Sequence, residues 1–293
     1  MNSVQQDLFS KINKGMSSFS KGHKRIAEYI LNHYDKAAYM TAAKLGVTAG
    51  VSESTVVRFA TELEFDGYPS LQRALQEMMR NKLTSVQRIE VTSDQIGTTD
   101  VFEKVLNADI EKIRRTLEES SREDFYSAVD TIIGAKRIYI IGSRSASALA
   151  RFLAYYFNLM FENVRYVNSA STSEMFEQIM RIDEQDVLIG ISFPRYSAQT
   201  VKAFQYASSS GAKVIAITDS KTSPLAEDAD HLLLARSDMA SFVDSLVAPL
   251  SLINALIVAI GIKKREEVSN NFEMLEDIWE RYDVYQKNKE KEV

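Results

Sequence analysis

The 293-residue chain contains no cysteine, only three histidines and no apolar run as long as a membrane span. The absence of cysteine excludes disulfides, thiolate zinc sites and a cysteine nucleophile, and it fits a cytoplasmic protein. Because no stretch of about 18 apolar residues occurs and the first residues, MNSVQQDLFSKINK, are polar, we expect neither a transmembrane helix nor a secretory signal. The composition, 45% apolar and 26% charged, is typical of a globular protein.

The charge is distributed unevenly along the chain. A net charge of −5 argues against a protein whose whole surface binds nucleic acid. Residues 1–80, however, hold ten Lys and Arg against eight Asp and Glu, a net charge of +2, which leaves −7 for the remainder. We therefore expect any basic face to lie in the amino-terminal part of the chain.

The spacing of apolar residues predicts two domains joined by a linker. Residues 1–80 show helical spacing alone, which predicts a bundle of about five helices. Residues 81–100 have no clear period and are rich in Thr, Ser and Asp, as is typical of a linker. The second domain is predicted over 101–293, beginning with an amphipathic helix over 101–119 and a further helix capped by Ser121.

After Ala135 the pattern changes to short apolar runs that alternate with helical stretches of about 15 residues. The five runs are RIYIIG (137–142), VRYVN (164–168), DVLIGIS (186–192), KVIAITD (213–219) and HLLLA (231–235). Such an alternation predicts a parallel sheet with helices on both faces, a three-layer α/β sandwich. We expect two final helices: a strongly apolar one over 247–262, either buried or a subunit contact, and an amphipathic one over 271–286.

The stretch MTAAKLGVTAGVSESTVVRFATELEFDGY, residues 40–68, predicts a helix-turn-helix (HTH). Thr41 begins the first helix, Gly50 lies in a tight turn and Ser52 caps the second helix. The second helix of such a pair can enter the major groove of DNA. From periodicity alone, a packed helical hairpin with a solvated outer face remains an equal alternative. The inner face of the second helix is predicted to consist of Val56, Val57, Ala60 and Leu63.

Polar residues at the start of the second helix are candidates for DNA contact. Ser54 and Thr55 can reach base edges or phosphates, and Arg58, one turn later, can pair with guanine or a phosphate. The predicted DNA-contacting residues are Ser52, Ser54, Thr55, Arg58 and Lys44. Further basic residues are either phosphate contacts or ordinary surface charge: Lys21, Lys24, Arg25 and Arg73.

The string VSESTVVRF, followed by LEFDGYPSLQ, resembles the amino-terminal domain of the RpiR (MurR/RpiR) family of bacterial transcription regulators. In that family an HTH domain precedes a sugar isomerase (SIS) domain, and the resemblance covers nearly the whole chain in that order. It implies double-stranded operator DNA as one partner and a phosphosugar as the other. Because an HTH commonly reads a palindrome as a dimer, we expect a homodimer or homotetramer.

The resemblance to a SIS domain implies two ligand loops, of the types G-x-G-x-S and S-x-S-G-x-T. Here they read GSRSA (142–146) and SFPRYS (192–197), at the carboxyl ends of predicted strands, where open α/β sheets bind ligands. Arg144 and Arg195 stand at glycine positions of the pattern, and Ala146 and Pro194 stand at serine positions. Because a guanidinium group suits phosphate or carboxylate, we expect a small anionic effector.

The predicted ligand residues are Ser143, Arg144, Ser145, Ser192, Arg195, Ser197 and Thr200, with Tyr196 and Glu174 as weaker candidates. Two alternatives stay open at this point. Ser145 and Ser197 are also suited to capping helices, and the two arginines are also suited to salt bridges across a subunit interface.

An aldose–ketose isomerase would need a general base beside its substrate. The three histidines, His23, His33 and His231, all lie outside the two loops, which leaves Glu174 and Glu177 as the candidates. The sequence shows no metal-ligand spacing, nucleophile elbow or P-loop. It therefore predicts a DNA-binding transcription regulator that senses an anionic metabolite without a cofactor or metal and is not an enzyme. The alternatives are a phosphosugar isomerase with a helical appendage and a scaffolding SIS protein without a small ligand.

Overall fold

The computed structural model describes residues 3–79, 84, 86, 88–89, 100–238 and 243–285. The chain forms two compact units, Met1–Ala108 with Asp238–Ser245, and Asp109–Ser237 with Leu246–Val293. Most of the predicted linker, 81–100, lies outside the described residues, and the domain ranges 1–80 and 101–293 remain predictions. Arg88, one of the few described linker residues, places Nη1 2.6 Å from Oδ1 of Asp244 in the same unit.

The first unit is helical. Its helices are α1 (Ser3–Gly15), α2 (Lys21–Asn32), α3 (Tyr34–Ala37), α4 (Ala42–Ala49), α5 (Glu53–Glu62) and α6 (Tyr68–Met79). The sequence predicted about five helices, and the described part of the unit adds α3, a single turn. Apolar side chains from these helices form one core, whose fully buried members include Ile12, Ile26, Ile30, Leu45, Phe59, Leu71 and Leu75.

The second unit contains a five-stranded parallel sheet in the order β2-β1-β3-β4-β5. The strands are β1 (Ile138–Gly142), β2 (Val164–Val167), β3 (Val187–Ile191), β4 (Lys213–Thr218) and β5 (His231–Leu234). All five fall within the predicted runs. In the register, Ile138 of β1 lies between Val164 of β2 and Val187 of β3.

Helices cover both faces of this sheet, which confirms the predicted three layers. The helices after the linker are α7 (Val101–Glu119), whose first residues, up to Ala108, belong to the first unit, and α8 (Arg122–Gly134), α9 (Ala146–Met160), α10 (Thr172–Ile179), α11 (Ala198–Ser209), α12 (Val247–Lys263) and α13 (Arg265–Arg281) of the second unit. Ile138 and Ile140 face one core with α8, α9 and α12. Tyr139 and Ile141 point to the opposite core with α10 and α11, because successive strand side chains alternate between faces.

The last helix differs from its prediction. The sequence predicted 271–286, but α13 begins at Arg265, directly after α12 ends, and stops at Arg281. Glu266 and Glu267 occupy its first turn, where negative charge interacts favourably with the helix dipole. Among the described residues no single helix is long and apolar enough to cross a membrane. In the described part of the chain, only α12 and α13 taken together have the length and apolar composition of a membrane span, and this pair is bent by 98°.

Candidate functional sites

The predicted HTH is formed by α4 and α5. Thr41 caps α4 by accepting a hydrogen bond from the Lys44 amide (3.2 Å). Gly50, with a φ of 68°, ends the helix in the left-handed region, which glycine adopts without steric cost. A Cβ atom at Gly46 would lie 3.0 Å from the Val51 carbonyl oxygen, so this glycine permits the close approach of the turn.

The inner face of α5 differs from the prediction at one position. Val56, Ala60 and Leu63 are buried as expected, but Val57 is 40% exposed and Phe59 is buried instead. At about 100° per residue, position 59 shares the face of 56 and 63, whereas 57 lies on the flank. The prediction for Val57 was therefore wrong.

The hydroxyl groups at the start of α5 form a local network. Ser52 Oγ accepts from the Thr55 amide (3.3 Å) and lies 2.8 Å from Thr55 Oγ1 and 2.9 Å from Ser54 Oγ. Ser54 and Arg58 are exposed, and Arg58 Nε donates to the Ser54 carbonyl oxygen (3.3 Å). The outer face thus offers a hydroxyl and a guanidinium group one turn apart. DNA contact by these residues and by Lys44 remains a prediction.

Arg25, a predicted phosphate contact, is exposed but makes a hydrogen bond within the protein. Its Nη1 atom donates to the Gly50 carbonyl oxygen (3.0 Å), which places the side chain on the HTH turn.

Burial and the carboxylate of Asp35 raise the pKa of the Tyr29 phenol, and the positive charge of Lys44 opposes this rise. Phosphate contact stays a prediction for the remaining basic candidates of this unit: Lys21, Lys24 and Arg73.

The two predicted ligand loops meet at the carboxyl edge of the sheet. Ser143 Oγ, just after β1, lies 3.2 Å from Thr200 Oγ1 on α11. Ser192 Oγ, just after β3, accepts from the Ser197 amide (3.3 Å), and Ser197 Oγ accepts from the Thr200 amide (3.4 Å). The structure therefore brings four of the seven candidates together and shows that Ser197 caps α11.

Arg144 and Arg195 share an uncommon backbone conformation. Their φ angles are 58° and 67°, in the left-handed region that costs a residue with a Cβ atom about 1–2 kcal/mol. Both positions correspond to glycines in the loop patterns implied by the resemblance, so the arginines keep a glycine conformation. Both side chains are exposed. Strained residues of this kind cluster at functional loops.

Ser145 does not act as a cap. It occupies the position before α9 with a φ of −60°, and its side chain makes no capping hydrogen bond within the described residues. A Cβ atom at Gly142 would lie 2.7 Å from the Ala146 carbonyl oxygen. The first loop therefore turns tightly into α9 and leaves Ser145 exposed beside Arg144.

Sequence reasoning missed Asp219, which lies just after β4 and is 4% exposed. Tyr196 Oη donates to Asp219 Oδ1 (2.8 Å), as does Thr218 Oγ1 (3.3 Å). This bond fixes Tyr196 of the second loop to the neighbouring strand, so Tyr196 supports the loop. An acidic residue at the end of the KVIAITD run was the signal available in the sequence.

The candidate bases of an isomerase lie on α10. Glu174 Oε2 accepts from Ser169 Oγ (3.2 Å), and Glu177 Oε1 accepts from Ser173 Oγ (3.2 Å). His231 is engaged with Thr131 Oγ1 (2.8 Å). Within the described parts of the chain, no group of three or more His, Asp and Glu residues is placed to hold a metal ion.

Two open cavities, of about 410 and 470 Å³, lie at the opposite, amino edge of the sheet, beside Ile138 and Asp186. Neither cavity is lined by a residue of the two loops. At this edge Arg137 donates to both carboxylate oxygens of the buried Asp186 (2.9 and 2.7 Å) and to Asp183 (2.7 Å).

Two domain families account for this architecture. The model of the helix-turn-helix domain of the rpiR family matches residues 6–82, and the model of the SIS domain matches residues 131–259. Together they cover more than two thirds of the chain. The fold thus defines a protein with an amino-terminal HTH and a carboxy-terminal SIS domain. The chain thus carries a helix-turn-helix domain of the rpiR family followed by a SIS domain, which confirms the fold class and the two domains predicted from the sequence.

Relatives match this chain along most of their length. The HTH-type transcriptional regulator HexR of Escherichia coli K12 is 27% identical over 278 residues, covering 92% of this chain and 93% of HexR. An uncharacterized HTH-type transcriptional regulator of Caldanaerobacter subterraneus is 24% identical over 278 residues, with coverages of 93% and 96%.

Solved structures show the same fold. The sugar isomerase domain of an RpiR transcription factor from Sphaerobacter thermophilus has a TM-score of 0.57 and 26% identity, covering 59% of this chain and 97% of that chain. The Vibrio vulnificus NanR protein, complexed with ManNAc-6P, also has a TM-score of 0.57, at 21% identity, with coverages of 92% and 98%.

Proposed function

We propose that the protein is a transcription regulator that binds operator DNA through α5 and binds a small anionic effector through the loops after β1 and β3. The observation that carries this proposal is the outer face of α5, where Ser54 and Arg58 are exposed within a fully capped HTH. Ser52 and Thr55 hold the helix start, and Lys44 is proposed to contact a phosphate. Hydroxyl and guanidinium groups at this spacing suit base edges and phosphates.

Two copies of the protein bind one operator in this proposal. A net charge of +2 over residues 1–80 gives one HTH modest non-specific affinity, because that affinity depends on the number of phosphates neutralised. A homodimer or homotetramer supplies two HTH units to a palindrome. The outer side of α12 supports such an assembly, since Val258 and Ile262 are 58% and 71% exposed.

The effector site uses side chains more than backbone amides. Arg144 and Arg195 supply guanidinium groups for phosphate or carboxylate. The remaining proposed ligand residues supply hydroxyl groups: Ser143, Ser145, Ser192, Ser197 and Thr200. A sugar phosphate or a related metabolite fits this donor set. The effector changes operator affinity only if it binds the two states of the protein unequally.

The proposed regulator is not an enzyme, requires no cofactor or metal, and acts in the cytoplasm, where bacterial DNA lies. The placement of His231 at the start of β5, where it contacts Thr131 Oγ1, supports binding over turnover. If purified protein interconverted sugar phosphates, and Glu174→Gln abolished that turnover, an isomerase would replace the regulator.

A gel-shift assay tests the DNA-binding function. Wild-type protein is expected to shift DNA from upstream of its own gene at low salt. The double variant Arg58→Ala with Thr55→Ala is expected to lose specific binding, because each base contact contributes about 1–3 kcal/mol of discrimination. Arg122→Ala, which removes an exposed arginine from the second unit, is the control. Undiminished specific binding by the double variant would overturn the role of α5.

A thermal-shift screen tests the effector site. Anionic metabolites, beginning with phosphosugars such as ManNAc-6P, are expected to raise the melting temperature of wild-type protein. Because a ligand that binds only the folded state stabilises it, Arg144→Ala and Arg195→Ala should each reduce the shift. Equal shifts in wild type and both variants would remove the arginines from the site.

A further inference from the structure

We infer that the start of α2 clamps the HTH in its DNA-reading geometry, and that Arg25 is a positioning residue instead of a phosphate contact. The clamp consists of Gly22, His23 and Arg25. This inference rests on the proposed DNA-binding function of α5. Three contacts support it: one at the turn before α5, one at the start of α5 and one at its far end.

The first contact holds the turn. Arg25 Nη1 donates to the Gly50 carbonyl oxygen at 3.0 Å, and a Cβ atom built on Gly50 would lie 3.1 Å from Arg25 Nη2. The guanidinium group therefore lies directly against the turn. Carbonyl groups at the end of a helix lack partners within it, and here a charged donor from α2 supplies one at the end of α4. Through this bond the exposed Arg25 side chain ties α2 to the backbone between α4 and α5.

The second contact lies at the start of α5. A Cβ atom at Gly22 would be 3.3 Å from Thr55 Cγ2 and 3.6 Å from Val51 Cγ1. The absence of a side chain at Gly22 thus lets α2 lie close to the residue whose hydroxyl group forms the cap network with Ser52. A larger residue here would displace Thr55 by a few tenths of an ångström.

The third contact lies at the far end of α5. His23 Nδ1 contacts Glu62 Oε2, and the imidazole ring packs edge-on against Phe59, with centroids 5.6 Å apart. The His23 side chain is only 12% exposed. This contact directs the carboxylate of Glu62 on α5 towards α2, where it interacts with His23.

Salt dependence separates a positioning residue from a phosphate contact. Each phosphate neutralised contributes about −0.9 to the slope of log affinity against log salt concentration. If Arg25 positions α5, its loss lowers affinity for the specific sequence and leaves that slope unchanged. If Arg25 contacts a phosphate, its loss weakens binding to all sequences alike and reduces the magnitude of the slope by about 0.9, the contribution of one phosphate.

The test uses the full chain and a duplex that wild-type protein selects from random DNA, with a scrambled duplex of the same composition. Fluorescence anisotropy over a salt series measures the DNA affinity of wild type and of two Arg25 variants, Arg25→Gln and Arg25→Lys. Lys21→Gln, which removes a basic residue predicted to contact phosphate, is measured for comparison. We expect Arg25→Gln to lose specific affinity about tenfold, as for a hydrogen bond from a charged group, with unchanged slope and unchanged affinity for the scrambled duplex. Arg25→Lys restores the charge without the planar fork, so we expect it to recover only part of the loss.

Gly22→Ala tests the clamp without changing any charge. Alanine favours a helix more than glycine does, so this variant does not lose helix propensity. We expect weaker specific binding at unchanged slope, whereas Gly134→Ala, where a Cβ atom meets nothing within 4 Å, should bind as wild type does.

Several results would overturn the inference. A reduced salt slope in Arg25→Gln, with equal losses on both duplexes, would make Arg25 a phosphate contact. A loss that vanishes after correction for the folded fraction, measured by circular dichroism, would make its role one of stability alone. If wild-type protein selected no sequence at all, the proposed function would fall and the clamp with it.

Discussion

Replacing Arg144 by glycine is expected to stabilise the second unit, although it removes a charged side chain from the candidate effector site. At a φ of 58°, a residue with a Cβ atom pays about 1–2 kcal/mol, which glycine avoids. Glycine in turn loses about 0.5–1 kcal/mol through its greater freedom in the unfolded chain. The difference of the two ranges is about 0–1.5 kcal/mol, and their midpoints predict a gain of about 0.75 kcal/mol in the free energy of unfolding for Arg144→Gly.

Alanine at the same position isolates the backbone contribution. Arg144→Ala removes the same guanidinium group but keeps a Cβ atom in the left-handed region, so it should be about 1 kcal/mol less stable than Arg144→Gly. At the neighbouring Ser145, where φ is −60°, the order should reverse. There we expect Ser145→Ala to be more stable than Ser145→Gly by about 0.5–1 kcal/mol.

Urea unfolding followed by tryptophan fluorescence measures these differences. Trp279 is the only tryptophan in the sequence and lies on α13, so its fluorescence reports on the second unit. A change in the midpoint at constant slope gives the change in stability. If Arg144→Ala proves at least as stable as Arg144→Gly, the left-handed conformation carries no strain and the reasoning about both loops is wrong.

Three further substitutions test other contacts. Tyr196→Phe removes a hydrogen bond to the buried carboxylate of Asp219 and should cost about 1–3 kcal/mol in the urea assay. Gly50→Ala forces a Cβ atom into the left-handed turn and should cost about 1–2 kcal/mol, seen as faster hydrogen exchange of α4 and α5. Arg137→Met leaves the carboxylate of Asp186 buried without its cation and should cost about 3 kcal/mol in the urea assay.

Each of these substitutions has a matched control. Tyr155→Phe alters an exposed tyrosine and should be neutral. Gly134→Ala places a Cβ atom in open space and should not accelerate exchange. Lys213→Met breaks a more exposed ion pair with Asp230, worth at most about 1 kcal/mol. If a control variant showed the same loss of stability, or the same acceleration of exchange, as its test variant, the contact in question would not contribute to stability.

The sheet could be predicted because each strand is a continuous apolar run with a helix after it. Parallel strands buried on both faces have that pattern, and right-handed crossovers leave few arrangements. The HTH could be predicted from Thr41, Gly50 and Ser52, whose local hydrogen bonding and backbone freedom define helix ends.

Contacts between distant residues could not be predicted in the same way. The bond from Arg25 to Gly50 and that from Tyr196 to Asp219 depend on how whole helices and strands pack, and the local patterns around Gly50 and Asp219 do not specify which side chain each will meet. The sequence predicted Val57 in the core, where the structure has Phe59. The error arose because apolar spacing alone does not distinguish a residue on the flank of a helix from one on its buried face. The early start of α13 followed from the sharp bend after α12, which periodicity does not encode.

The two edges of the sheet carry different kinds of residue. At the amino edge, Arg137 joins the starts of β1 and β3 through the carboxylate of Asp186. At the carboxyl edge, Arg144 and Arg195 project from loops that follow the ends of the same two strands. Substitutions in those loops leave the amino edge intact, so under the proposed function the effector can diversify in evolution, or be redesigned for a biosensor, while the scaffold is inherited unchanged.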